Sequence, residues 1–294
     1  MSDIQTPQPP SEQADKQRKR RSAISYPARD TKDLSEKEAL VEYLQRMADD
    51  RLILGHRLSE WTGHAPILEE DIAMANIALD LIGHASSLLE YAGKMEGEGR
   101  DEDDFAYFRD AVDYRNIKMV ELPRGDFAFT MGRIFLFSTF SYYFYQKLQE
   151  TEDEQLRGLA QKALKEATYH VRHSADWVRK LGDGTEESHQ RMQDAINELW
   201  AYTGELFYMD EIDEVLIDAH LAPDLHKLFD QWIEQVENVI QEATLSIPEA
   251  ERKEQNPMTS NLSDGGRRGF HSEHLGHLLA EMQTVRREFP DAPW

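Results

Sequence analysis

Apolar residues recur at helical spacing along most of the chain, and no segment shows the alternation of a half-buried strand. The first periodic segment runs from about Ser35 to Trp61, with Leu40, Tyr43, Leu44, Met47, Leu52, Leu54 and Leu58 on its stripe. Ser35 followed by Glu38 has the form of a capping box. The polar triplet Asp49, Asp50, Arg51 interrupts the stripe and predicts a break there. The second segment, Leu68 to Met95, carries Ile72, Ala75, Ile77, Leu79, Ile82 and Leu89 on more than one face, the pattern of a helix enclosed in a bundle. The third, Asp126 to Glu150, is crowded with Phe and Tyr, which predicts core with some partner surface. The fourth, Glu152 to Leu181, stops at Gly182, a C-cap residue. Further helices are predicted over 189–209, 223–244 and 272–289, with short ones over 105–120. Turns are expected at 63–66, 97–104, 182–185 and 248–269. Long helices with short connections make this an all-α bundle of at least six helices.

Composition narrows the class. Residues 1–33 are rich in Pro, Gln, Ser and charge, with a basic run from Lys16 to Arg21, and are expected to be a disordered tail before one helical domain over 34–294. The net charge of −23 argues against nucleic acid and anionic membrane as partners. The chain has no cysteine, which removes thiolate chemistry and suits the cytoplasm. Neither a secretory h-region nor an uninterrupted apolar run of membrane-span length is present.

Two histidines, His84 and His170, lie deep in the second and fourth segments. A di-iron carboxylate bundle pairs each such histidine with a glutamate three residues earlier, because i and i+3 share a helix face. Here those positions are Leu81 and Ala167, and the middle of the third segment offers Ser138 rather than an acid. Asp80 and Glu166, each four residues before a histidine, leave open a site in shifted register, or a carboxylate–imidazole pair that fills a polar spot without metal. Near the C-terminus, His271, Glu273 and His274 have ligand-like spacing, which a polar helix start docked on another surface also explains. The glycine-flanked pair Arg267 and Arg268 suits a phosphate, as on coenzyme A, or a partner. There is no nucleophile elbow.

Longer motifs add a resemblance. Leu58 to Pro66, Asp71 to Gly83, Lys165 to His170, Met192 to Asn197, Glu273 to Gly276 and Leu279 to Gln283 resemble the PaaC family, a subunit type of the bacterial phenylacetyl-CoA 1,2-epoxidase, over about Leu40 to Trp294. The resemblance implies a ferritin-like bundle with additional C-terminal helices. It also implies a PaaA-like catalytic partner that holds the di-iron centre, and a reductase partner with FAD and an iron–sulfur centre. This chain itself would be structural, with no catalytic residue, cofactor or metal. In PaaA-like chains the ligand histidines correspond to His84 and His170, and the ligand glutamates to Leu81 and Ala167. Some PaaC-like chains keep an acid at the position of Ser138. Arg267, Arg268, His271, Glu273 and His274 become candidates for partner contact, together with parts of the third helix. The competing expectation is a divergent metal oxidase built on Asp80, His84, Glu166 and His170.

Overall fold

The computed structural model describes residues 34–248, 265–290 and 292; the expected tail (1–33) and most of the expected 248–269 loop lie outside them. Among the described residues there are α-helices and short 3-10 turns but no strand. Four long helices form the bundle: α1 (Glu36–Ser59), α2 (Leu68–Glu96), α5 (Phe127–Leu148) and α6 (Glu154–Gly182). α1 packs along α2 and α5 along α6, so the bundle is two helical hairpins, and α2 meets α6 where they join. The connection between hairpins holds α3 (Glu102–Tyr107) and α4 (Lys118–Glu121). After the bundle come α7 (Glu186–Trp200), α8 (Glu211–Asp218), α9 (Phe229–Glu242) and α10 (Glu273–Glu288). This is the ferritin-like arrangement with added C-terminal helices.

Local chemistry sets the helix ends. Ser35 and Glu38 form the reciprocal capping box, while Asp126, Asp153 and Thr185 cap α5, α6 and α7 through their side chains. The turn at 182–185 is where the glycines predict it. α7 ends at Trp200, earlier than the apolar pattern suggests, because residues 203–207 tighten into a 3-10 turn; α8 lies in a stretch expected to be connection. The aromatic α5 is interior along nearly its whole length. α7 approaches it closely at Gly132, where a Cβ would lie 2.9 Å from the Met192 Cε. The α9 residue Trp232 donates its indole N–H to the Leu136 carbonyl at 3.1 Å. Most aromatic residues of α5 therefore fill this chain's own core, while Phe127, Tyr142 and Tyr143 stay partly exposed.

The expected break in α1 does not occur. Asp49, Asp50 and Arg51 are all buried, in a continuous helix. Buried charge is tolerated only with partners, and here each charge has one from another segment. Asp49 accepts two bonds from Arg109 and one from the Arg115 amide at 2.8 Å. Asp50 takes both arms of Arg267, at 2.9 and 3.0 Å, and the Ile117 amide at 2.9 Å. One turn earlier, Arg46 donates to Asp210 (2.6 and 2.9 Å) and Asp213 (3.2 Å). α1 is thus the ionic spine to which the hairpin connection, α8 and the C-terminal segment are tied.

Candidate functional site: a carboxylate–histidine seam without metal geometry

The seam between α2 and α6 gathers the four polar residues that the sequence singled out. They pair across the helices rather than along them. His84 on α2 meets Glu166 on α6 in a short contact. His170 on α6 lies 2.9 Å from Asp80 on α2 through Nε2. A third crossed contact, His173 Nε2 with Glu70 at 3.0 Å, extends the row. Helical spacing explains the crossing. Residues 80 and 84 share the face of α2 that looks at α6, and 166 and 170 share the reciprocal face, so each histidine has an acid from the other helix closer than its own.

Leu81 and Ala167 are buried beside these pairs and join the apolar core; Ser138 is buried on α5. What replaces further carboxylates is a cation. Arg51 enters from α1, almost fully buried, with Nε donating to the Tyr145 hydroxyl at 2.8 Å and Nη1 to the Met47 carbonyl at 2.9 Å. Its guanidinium lies 5.3 Å from the Tyr145 ring centroid and 5.5 Å from that of Phe137. The Tyr145 ring in turn meets His84 edge-on, at 6.0 Å between centroids. Burial first, then the charge of Arg51, pushes His84 down to about 3. Burial and the charge of Asp80 raise Glu166. The pair is therefore a neutral imidazole bonded to a carboxylate, and Glu166 is the member that takes up a proton on acidification.

The arrangement does not fit a di-iron centre. A metal there would need carboxylates free to neutralise and bridge two cations, but the acids are paired with imidazoles and the charge of Arg51 already acts on His84, with Tyr145 touching both. Among the described residues no three His, Asp or Glu side chains converge as ligands. A small cavity of about 20 Å³ beside His84, lined also by Tyr145, Leu156, Leu159 and Lys162, has room for about one water. The buried Nδ1 of His84 has no protein partner.

A neutral buried histidine has a signature in solution. The folded value lies below the unfolded one, so stability is complete above about pH 6.5 and falls as the pH drops toward 3, by about 1.4 kcal/mol per pH unit for one proton. His84→Gln keeps a donor for Glu166 and removes this titration. Denaturant unfolding of both proteins at pH 7 and 5 should show the wild-type losing about 2 kcal/mol more than the variant. Equal losses would mean that His84 does not resist protonation in the folded chain.

The C-terminal candidates also meet α1, where Arg267 lines a small cavity together with Asp50 and Arg51. Arg267 points inward, where besides Asp50 it donates to the carbonyls of Arg115 (2.9 Å) and Arg46 (3.2 Å). The glycines flanking the arginines have a packing reason: a Cβ on Gly266 would lie 2.2 Å from the Asn116 carbonyl oxygen, and Gly269 has φ +81°. Both features describe a turn pressed on backbone rather than a loop shaped for phosphate. Arg268 reaches the Tyr208 hydroxyl at 3.1 Å. His271 precedes α10 and is held by two acceptors, the buried Glu121 carboxylate (2.9 Å) and the Tyr114 carbonyl (3.0 Å). Glu273 is exposed, and the His274 carbonyl accepts from Arg57 at 3.0 Å. His271 and His274 are thus not brought together as ligands. Sequence reasoning missed Arg51, Asp49 and Asp50 as interior residues. The available signal was a charged cluster inside a segment whose flanks are apolar on every side.

Comparison with known proteins bears on the same helices. A family model described as phenylacetic acid catabolic protein, covering PaaA and PaaC, matches residues 16–294. This chain belongs to that family. It is 45% identical over 255 residues to the C subunit of the 1,2-phenylacetyl-CoA epoxidase of Escherichia coli (strain K12), covering 87% of this chain and 99% of the relative. The family match spans the whole bundle and the C-terminal helices, so the ionic spine and the crossed seam both lie inside it.

Proposed function

We propose that this chain is a metal-free structural subunit of a phenylacetyl-CoA 1,2-epoxidase in aerobic phenylacetate degradation. In that complex a PaaA-like chain carries the di-iron centre, and a reductase with FAD and an iron–sulfur centre supplies electrons, all in the cytoplasm. The observation that carries the non-catalytic part is the seam: the fixed positive charge of Arg51 disfavours a cation at His84, and crossed pairs engage Asp80 and Glu166. A guanidinium cannot be deprotonated at working pH, so it repels a second cation permanently. The residues of this chain then serve as a rigid bundle. The histidine–carboxylate pairs fix the register of α2 on α6, and α1 ties down the hairpin connection, α8 and the C-terminal segment.

The test is elemental analysis of the full chain purified alone from iron-replete cells. Less than about a tenth of an iron per chain is expected from a site lacking free carboxylates. Near two irons per chain would restore Asp80, His84, Glu166 and His170 as ligands and make the chain an oxidase in its own right.

A further inference from the structure

The outward face of α2 carries an apolar stripe that this chain does not cover. Its inner side is core, through Met74, Ile77, Leu81 and Leu88. Its outer side carries Leu68, Ile72 and Leu79, exposed by 72%, 53% and 67%. These positions follow one another at four and seven residues, so they form one stripe along the helix. α2 is apolar enough by length and composition to cross a membrane, yet only half of its apolar window is buried within this chain. The sequence pattern of a fully enclosed helix is thus only half satisfied by the chain's own fold.

Two further features say what covers it. Gly83 continues the same stripe in mid-helix, and a Cβ added there meets nothing within 4 Å. A mid-helix glycine costs about 1 kcal/mol relative to alanine. Nothing described inside the chain crowds this position, and the missing side chain leaves room for a second backbone to approach closely there. Beside the stripe, across the histidine seam, α6 exposes Lys162, Lys165 and Arg172. α6 carries six Lys or Arg against three Asp or Glu in a chain whose net charge is −23. The face is apolar on α2 and cationic on its α6 margin. A second copy of the chain would bring another −23 to this contact, which opposes self-association.

We infer that the outer face of the α2–α6 pair seats an α-helix of a different protein subunit, apolar along its contact stripe and acidic on the flank that meets α6. This rests on the reading of the chain as a subunit and locates its interface. A contact of this kind concentrates binding in a few large side chains, with the charged margin governing approach. The crossed histidine pairs lie beneath this face, so the same residues that abolish a metal site stiffen the platform on which the partner sits.

The experiment compares the wild-type full chain with Ile72→Glu/Leu79→Glu and with Gly83→Trp, each co-expressed with the proposed di-iron subunit and measured for binding. All three positions are exposed or open, so circular dichroism and Tm should match the wild-type, which also confirms that the variants fold. Binding of the partner is expected to weaken at least a hundredfold in both variants. Wild-type binding that survives in both folded variants would place the interface elsewhere and overturn this inference while leaving the subunit reading intact. Absence of binding by the wild-type itself would instead remove the subunit reading. A wild-type homodimer in sedimentation that both variants dissolve would show a second copy as the occupant and would also overturn the proposal.

Discussion

Asp49→Ala should lower the stability of this chain by about 3–5 kcal/mol, the cost of leaving a buried charge without its partner. Asp49 is completely buried and accepts from both terminal nitrogens of Arg109 and from the Arg115 amide. Removing the carboxylate strands the buried Arg109 guanidinium, which also stacks 4.3 Å from the Tyr114 ring centroid. For a domain of this size, such a loss lowers Tm by roughly 10 °C. The control is Asp49→Ala/Arg109→Met. With the stranded charge gone, the double variant should recover part of the loss, so the two single effects will not add. Thermal unfolding of the wild-type, both single variants and the double variant decides it. An Asp49→Ala protein within about 1 kcal/mol of wild-type would show that α1 does not depend on its buried acid.

Arg267→Ala is expected to act on the same helix at the neighbouring acid, Asp50. Asp50 would keep the Ile117 amide and a looser approach from Arg51 (3.6 Å), but would lose a bidentate cation in a buried site. The expected cost is again about 3–5 kcal/mol. Here the damage should be local first. The segment carrying Arg267 leads into α10, which is held otherwise by His271 on Glu121, Arg57 on the His274 carbonyl, and Gln283 on the carbonyls of Ala106 and Arg109. Hydrogen exchange should therefore show α10 losing protection before the long helices do. If Arg267 served an external phosphate instead, its removal would leave stability and exchange unchanged and alter only ligand binding. The two outcomes are separable on the purified chain without any partner.

Much of the fold was legible because its signals are local. The Ser35 and Glu38 capping box and the 3.6-residue period fix where helices begin and how they face, using residues at most a few positions apart, whereas the Thr185 cap, which starts α7 at Glu186 rather than 189, was not read. The missing glutamates at 81 and 167 were equally local, since a ligand pair on one helix is an i, i+3 relation. The failures were of the opposite kind. Asp49, Asp50 and Arg51 suggested a break because charge in isolation belongs in water. The two acids are interior because Arg109, Arg115 and Arg267, all far along the chain, arrive to neutralise or hydrogen-bond them. Arg51 is interior because Tyr145 receives it.

The same division holds at the seam. The order of residues was enough to specify an all-α bundle, most helix starts, and that Leu81 and Ala167 stand three residues before the two seam histidines. It did not specify that each histidine takes its acid from the opposite helix, that Arg51 is buried against Tyr145, or that Arg267 is a clamp; packing settled those. They are contacts between segments, and their energies depend on burial, which raises the cost of an unpaired charge and the value of a paired one. A linear pattern records which charges exist; the packed chain determines which of them meet.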